Sequence, residues 1–301
     1  FIIQLNIFRR IILCGFAGFF SNRVVAGEEN RNVILNRMGD AILHRGPDDS
    51  GIWNNPEKTL GIVHRRLSIL DLSDAGKQPM ESVSGRFIIA FNGEIYNHQL
   101  IRKQIQQTQF SENNWRGYSD TEVLLISIEL WGLEKTLQKI VGMFAFALLD
   151  KKEEELYLVR DRIGEKPIYY GFQKNTFLFG SELKAIKEHP DFQNIIDRNS
   201  LTLQLRYSCI PAPYSIYKGI RKLLPGTFIR ISVANEKQSL NNFPIPEPYW
   251  SLKDVVVAGR KKPFLGSDIE AVDTLDDLLN KSIQQQMVAD VPLGSFLSGG
   301  I

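Results

Sequence analysis

Short apolar runs separated by turn residues dominate the first two hundred positions and predict many strands with few helices. The small apolar residues 14–20 (CGFAGFF) predict the first strand. The other predicted strands lie at 60–70, 87–91, 142–150, 155–160, 167–172 and 176–180. Two stacked sheets covered by helices are the architecture that this order of elements favours.

Helices are predicted where apolar residues recur every three or four positions, or where a capping box stands. Ser119 and Ser267 each begin a Ser-x-x-Glu pattern of the kind that opens a helix. The predicted helices are 29–43, a polar surface helix at 98–107, the helix after Ser119, a short one at 182–188 and the helix after Ser267.

Glycine, proline and aspartate mark the predicted loops at 44–51 and 71–80. Asn92-Gly93 predicts a turn that ends the strand at 87–91. Beyond residue 210 several prolines indicate an irregular segment, and 291–301 (VPLGSFLSGGI) predicts a strand that runs into a glycine turn. We therefore expect one domain over residues 14–210, followed by a linker and the start of a second domain over 211–301.

The composition is that of a globular protein, with 43% apolar and 23% charged residues among 301. A formal net charge of +2 gives no strong field, so neither nucleic acid nor a membrane is expected as a partner. Two cysteines, Cys14 and Cys209, are too few for a disulfide framework and favour a reducing, cytoplasmic location.

Residues 1–13 are expected to be an upstream extension or a mis-assigned start. Their basic pair follows the first apolar stretch instead of preceding it, unlike a signal peptide. Leu13 stands directly before Cys14, and some bacterial start codons otherwise encode leucine. We therefore expect translation to begin at position 13.

Cys14 is a candidate nucleophile. At its ordinary pKa a thiol is only a few per cent ionised at neutral pH and needs a base. If Cys14 is the first residue of the mature chain, its α-amino group titrates near working pH and serves as that base. The alternative is that Cys14 is a small core residue in a tight strand.

Three other segments offer groups that suit the chemistry of an amino-acid amide. The Asn92 amide and the Gly93 N–H could form an oxyanion hole, although a plain hairpin turn is the alternative. The Arg66 guanidinium suits a bidentate grip on a carboxylate, and Glu94 and Asp120 suit an ammonium group. The alternatives are a surface arginine and an aspartate that complements a helix dipole.

Two further features complete the candidates. Leu297, Ser298, Gly299 and Gly300 end a predicted strand in a turn whose backbone N–H groups suit a phosphate, without the Walker pattern. The four histidines, His44, His64, His98 and His189, lack the spacing of metal ligands, and the last two are expected to be exposed.

Taken together, the motifs resemble the glutamine-dependent asparagine synthetase family in its bacterial form. In the family's order they are CGFAGFF, HRGPDDSG, HRRLSILDLS, QPM, FNGEIYN, SDTEVLL, GMFAFALLD, RDRIGEKPIYYG, FGSELKAI and VPLGSFLSGGI. The resemblance implies an α+β fold, an N-terminal-nucleophile hydrolase sandwich of four αββα layers. The beginning of an α/β ATP-pyrophosphatase-type synthetase domain is expected to follow it.

The resemblance also implies residue roles. Cys14 would form a glutamyl thioester, with Asn92 and Gly93 as the oxyanion hole. Arg66 would hold the α-carboxylate of glutamine, and Glu94 and Asp120 its α-ammonium. The backbone of Leu67, Ser68, Ile69 and Leu70 would line the pocket, and Leu297, Ser298, Gly299 and Gly300 would bind ATP.

Glutamine, aspartate and ATP are thus the implied substrates, with ATP and Mg²⁺ needed by the full-length enzyme and no cofactor or metal needed by the glutaminase half. The ammonia would pass to an adenylated aspartate, and a homodimer is compatible with the resemblance. The resemblance further implies that the chain ends inside the phosphate loop. The alternatives are an amidotransferase with another acceptor and a catalytically silent fragment that acts as a binding module.

Overall fold

The computed structural model describes residues 14–21, 28–55, 59–108, 115–234, 243–292 and 294. The strands are β1 (Gly15–Ser21), β2 (Asp49–Asn54), β3 (Leu60–Arg66), β4 (Met80–Glu81), β5 (Phe87–Ile95), β6 (Gly142–Asp150), β7 (Glu155–Arg160), β8 (Tyr169–Gln173), β9 (Thr176–Gly180), β10 (Ile220–Lys222), β11 (Thr227–Ser232) and β12 (Glu247–Pro248). They form two antiparallel six-stranded sheets, ordered β10-β8-β9-β1-β3-β2 and β12-β11-β7-β6-β5-β4.

Eight α-helices lie among the described residues, and four of them cover the outer faces of the sheets. The eight are α1 (Glu28–Asp40), α2 (His98–Gln106), α3 (Asp120–Trp131), α4 (Leu133–Lys139), α5 (Leu183–Lys187), α6 (Arg198–Tyr207), α7 (Leu252–Lys261) and α8 (Asp268–Gln286). Ser119 and Ser267 both cap the first turns of helices, as predicted, but only Ser267 forms the full capping box, with Glu270. The Glu122 carboxylate accepts from the N–H groups of Arg116 and Gly117 instead of that of Ser119. No helix in the described part of the chain is long and apolar enough to cross a membrane.

Three clusters of buried apolar residues hold the two sheets and their helices together. One buried cluster lies between the sheets and joins side chains such as Phe16 and Ile62 to Ile88 and Ala147. A second cluster joins α3 and α4 to the outer face of β5 and β6, and a third joins α1 and α5 to the outer face of β1, β3 and β9. The predicted four-layer αββα sandwich is therefore confirmed.

Strand β5 corrects one sequence prediction. Asn92-Gly93 does not turn the chain, because β5 continues to Ile95 and pairs Asn92 with Ala145 and Gly93 with Phe144. The full-length partner strand β6 overrides the local turn preference of Asn-Gly. A side chain at Gly93 would lie 2.1 Å from the Met143 carbonyl oxygen, so glycine is required here by close approach of β6.

Two loop predictions were also partly wrong. Strand β2 begins at Asp49, inside the segment expected to be a loop, because it pairs with β3 from Asp49 to Asn54. Three short strands, β10 to β12, lie in the proline-rich segment after residue 210 and extend both sheets. Helices α4, α6 and α7 have no counterpart among the predicted elements. The predicted strand and glycine turn at 291–301 lie almost entirely outside the described residues.

Candidate active site

A small cavity opens where β1 begins, β3 and β5 end and α3 starts. Eight of its lining residues belong to the predicted site, namely Cys14, Arg66, Leu67, Ile69, Leu70, Gly93, Glu94 and Asp120. Residues that are far apart in the sequence thus meet in one pocket at the rim of the sandwich.

Cys14 lies directly before β1, at the edge of this cavity, and is partly exposed. The Leu67 N–H donates to Cys14 Sγ at 3.3 Å, and the thiol faces the Leu67 carbonyl at 3.4 Å. Burial raises the pKa of the thiol to about 11, although the Leu67 backbone and the Arg66 charge oppose the shift. The sulfur is therefore held as a thiol and needs a base to become a nucleophile.

Arg45 holds the backbone of Cys14 in place. Its Nε donates to the Cys14 carbonyl at 3.1 Å, and its Nη1 forms an ion pair with Glu182 at 2.8 Å. The Glu182 carboxylate also contacts His44 and Lys184 at 3.0 and 3.1 Å. Sequence analysis gave Arg45 no role, because a guanidinium that holds a backbone carbonyl has no spacing signature.

Asn92 is completely buried, and both atoms of its side-chain amide lack a hydrogen-bond partner among the described residues. Successive residues of a strand face opposite sides, so Asn92 shares the inter-sheet face with Ala90 and Glu94. An unsatisfied buried amide costs about 1–3 kcal/mol. Such a group suits a ligand atom that arrives during the reaction.

Glu94 and Asp120 place two carboxyl groups at the same end of the pocket. Burial, together with the charge of Asp120, raises the pKa of Glu94 to about 7. Burial also raises the pKa of Asp120, although the Ile95 N–H donates to its Oδ2 at 2.8 Å. Neither carboxylate forms an ion pair with a described residue, so the pair suits an incoming cation.

Arg66 is 6% exposed and lines the pocket at the end of β3. Its guanidinium donates to the carbonyls of Ser73, at 3.1 Å, Leu70, at 3.4 Å, and Asp71. The loop after β3 therefore holds the guanidinium by its own backbone. Ser68 is the one residue of the predicted loop that does not line the cavity, and its N–H donates to Asp48 Oδ2 at 2.8 Å.

Further lining residues were missed by sequence analysis, namely Gly76, Gln78, Phe91, Ser119 and Thr121. The Gln78 carboxamide accepts from the Phe91 N–H at 2.6 Å, and its amide group lies 3.4 Å from the Thr121 hydroxyl. Gln78 therefore ties the loop before β4 to β5 and α3. The QPM motif contained this signal, but the residue type alone indicates no contact.

Two histidines were placed wrongly by sequence analysis, because His98 and His189 are 5% and 3% exposed. The His98 ring bonds the Ile95 carbonyl at 2.8 Å, and the His189 ring packs on Phe19 with centroids 4.8 Å apart. Local polarity did not reveal these tertiary contacts. The predicted ATP-binding residues Leu297, Ser298, Gly299 and Gly300 lie outside the described residues.

The chain matches two family models. The glutamine amidotransferase domain model matches residues 13–250, and the asparagine synthase model matches residues 274–301. The first match covers the sandwich and every described residue of the candidate site, and the second includes most of α8 and the Ser-Gly-Gly segment.

Similar proteins include asparagine synthetase [glutamine-hydrolyzing] 3 of Bacillus subtilis, which is 34% identical over 96% of this chain and 44% of its own length. A putative asparagine synthetase 2 of Methanocaldococcus jannaschii is also 34% identical, over 96% of this chain and 55% of its own length. The chain thus spans about half the length of these relatives.

Among solved structures, the glutamine phosphoribosylpyrophosphate amidotransferase of B. subtilis is similar, with a TM-score of 0.53 and 17% identity. The similarity covers 79% of this chain and 50% of that one, and it concerns the fold alone.

Proposed function

Because this chain belongs to the glutamine amidotransferase family, we propose that its pocket hydrolyses glutamine to glutamate and ammonia, with Cys14 as the nucleophile. The observation that carries the proposal is the meeting of a thiol and two carboxyl groups in one cavity, with an unpartnered amide beside it. The partly exposed thiol of Cys14 and the carboxyl groups of Glu94 and Asp120 line the cavity. The Asn92 amide is buried next to the lining residue Gly93 and does not itself line the cavity.

In the proposed complex, the two charged groups on the α-carbon of glutamine bind protein groups of opposite charge. Glu94 and Asp120 receive the α-ammonium, whose charge stabilises the ionised forms of both carboxyl groups. Arg66 receives the α-carboxylate, oriented by the carbonyls of the loop after β3. Leu67, Ile69 and Leu70 enclose the side chain and orient its amide toward Cys14 Sγ.

The reaction then proceeds through a thioester. The α-amine of Cys14 takes the thiol proton as Sγ attacks the amide carbon, and the resulting oxyanion is stabilised by the Asn92 amide and the Gly93 N–H. The protonated amine returns the proton to the departing nitrogen, which leaves as ammonia. Water, deprotonated by the same amine, hydrolyses the thioester and releases glutamate.

The experiment uses protein expressed with Met directly before Cys14, since the mechanism requires a free α-amine at that residue. Ammonia release from glutamine is compared among this protein, its C14A variant and its N92A variant. We expect activity in the first, none in C14A, and a decrease in kcat of about 10²–10³-fold in N92A. Cys209, which is exposed outside the cavity, supplies the matched control C209A.

Equal activity in C14A would overturn the nucleophile assignment. Absence of ammonia release from all four proteins would favour the alternative that the chain is a silent binding module. The same alternative predicts that glutamine does not bind, which calorimetry on C14A measures directly.

For the longer protein we propose glutamine-dependent asparagine synthesis, in which ammonia passes to an aspartate activated by ATP. The support is the asparagine synthase match at residues 274–301 and the names of the relatives. Leu297, Ser298, Gly299 and Gly300 would bind ATP phosphates, and Mg²⁺ would accompany the nucleotide. Asparagine formation from aspartate, ATP and glutamine tests this proposal, and amidation of another acceptor instead would identify a related amidotransferase.

Three coarser expectations are part of the same proposal. For the amidotransferase unit, first expected to end at residue 210, we propose an end near residue 250, supported by β10 to β12, which extend its sheets. A cytoplasmic location and a homodimer are tested by cell fractionation and by light scattering. Expression of residues 14–250 alone tests the boundary, because a correctly bounded unit should fold by itself.

A further inference from the structure

The segment after α8 contacts the loop that shapes the glutamine pocket. The Asp290 N–H donates to the Ile69 carbonyl at 3.0 Å, and the Asp290 carboxylate accepts from the Asp71 N–H at 2.8 Å. Desolvation and the nearby charge of Asp290 raise the pKa of the Tyr118 hydroxyl, in the segment before α3. Two hydrogen bonds thus join a residue within the asparagine synthase match to the amidotransferase sandwich.

Asp71 is the residue through which this contact reaches the pocket. It is completely buried and has a φ of 54°, a left-handed conformation that non-glycine residues adopt only when their surroundings support it. Its carboxylate accepts from the N–H and the hydroxyl of Ser73 and, at 2.9 Å, from the Tyr118 N–H. Its own N–H is the group that Asp290 holds.

The carbonyl of Asp71 in turn holds the Arg66 guanidinium. The Arg66 side chain is further confined by Gly76, where an added Cβ would lie 2.0 Å from Arg66 Nη2. A continuous series of contacts therefore runs from Asp290 through the backbone of Asp71 to Arg66.

We propose that Asp290 is a positioning residue for glutamine binding, and that it couples the 288–292 segment to the pocket by holding the Ile69–Ser73 loop in the shape that presents Arg66. The inference rests on the proposed glutaminase function. Coupling of this kind is reciprocal, so glutamine also stabilises the contact between Asp290 and the loop.

The test compares the protein that begins at Cys14 with its D290A and D290N variants. Because D290A removes a charge-assisted hydrogen bond at an exposed position, we expect the KM for glutamine to rise about fivefold, with kcat changed less than about twofold. In D290N the side-chain oxygen still accepts from Asp71, so most of the affinity returns. D277A, which alters an exposed aspartate of α8, is the matched control and keeps the parent KM.

A second measurement does not depend on turnover. Hydrogen exchange followed by mass spectrometry reports the Asp71 amide in a peptide over residues 67–74. D290A should accelerate this exchange, and glutamine bound to the C14A variant should slow exchange over residues 288–292. Y118F, which removes the hydroxyl near Asp290, should produce a smaller acceleration.

The outcomes separate the two proposals. An unchanged KM and an unchanged exchange rate in D290A, with an active parent, would overturn the role of Asp290. A decrease in kcat together with a lowered unfolding temperature would also overturn it, by showing a general structural role. If the parent itself releases no ammonia, the glutaminase proposal fails, whereas the exchange data still show whether Asp290 holds the loop.

Discussion

Glu94 shows how burial can make a single side chain sensitive to pH near neutrality. Its carboxyl group is 8% exposed, lies near Asp120 and has a pKa raised to about 7. The free pocket therefore contains a mixture of protonated and ionised Glu94 at neutral pH. An α-ammonium group favours the ionised form, so protons and glutamine compete at this residue.

We therefore expect glutamine to bind more weakly as the pH falls. With a pKa of about 7 in the free protein, the Kd for the C14A variant should rise about tenfold between pH 8 and pH 6. Replacing Glu94 by glutamine in the same background should weaken binding at pH 8 and remove most of this dependence. Calorimetric titration at several pH values measures both effects.

Glu165 provides the control, because burial raises its pKa also but it does not line the cavity. E165Q should retain the pH dependence of the parent. If E94Q and E165Q have the same dependence as the parent, Glu94 does not govern the binding of the ammonium group.

At the scale of single residues, sequence analysis predicted groups with distinctive chemistry but not those that support them. Cys14, Arg66 and Glu94 could be proposed because their side chains suit one end of an amino-acid amide. Arg45 and Gln78 could not, because each acts by bonding the backbone of a residue distant in sequence. Which backbone group a side chain meets is decided only when the sheets pack.

Strand β5 is the element on which the oxyanion-hole proposal depends, and its geometry leads to a stability prediction. At Gly93 an alanine Cβ would lie 2.1 Å from the Met143 carbonyl and 2.6 Å from Phe144 Cα, so β5 and β6 must separate. We expect G93A to lower the free energy of unfolding by about 1–3 kcal/mol. Urea unfolding followed by tryptophan fluorescence gives this value.

Gly259 in α7 is a suitable comparison, because no heavy atom lies within 4 Å of its Cβ position. Alanine favours a helix over glycine by up to about 1 kcal/mol, so G259A should be neutral or slightly stabilising. Equal stability of G93A and the parent protein would show that β6 accommodates a side chain at position 93.

Among the elements, those with long regular patterns were predictable and those fixed by distant partners were not. Strands β6 and β7 have the predicted bounds, because both are apolar runs bounded by turn residues. The end of β5 was missed, since its pairing with β6 lies fifty residues away in sequence and contradicts the Asn-Gly turn signal. Strands β10 and β12 were missed because two or three residues carry no periodicity.

At the scale of the whole molecule, α7 and α8 differ from the sandwich in how little of them is covered. Neither helix has a buried residue among those described, and Ile269, Val272 and Leu275 are 75%, 66% and 56% exposed. Helical stability in proteins comes mainly from packing of an apolar face. These helices should therefore open locally far more often than the sheets.

We expect limited trypsin digestion to cut this chain first at the exposed basic residues that end α7, Arg260, Lys261 and Lys262. The product that contains the sandwich should stay folded, as judged by mass spectrometry and circular dichroism. Because it lacks Asp290, its KM for glutamine should resemble that of D290A. A first cut within β5 to β9 would contradict this order of stability.

Strand β1 lies in the middle of its sheet, so one of its two partner strands is synthesised long after it. One neighbour of β1 is β3, but the other is β9, so Ala17 pairs with Gly180. At a synthesis rate of about 5–20 residues per second, the ribosome needs roughly 8–30 s to reach that partner after making β1. Through this interval the thiol beside β1 has no completed pocket around it. A nascent chain therefore passes through a stage in which its cysteine is open to oxidants but unable to turn over substrate.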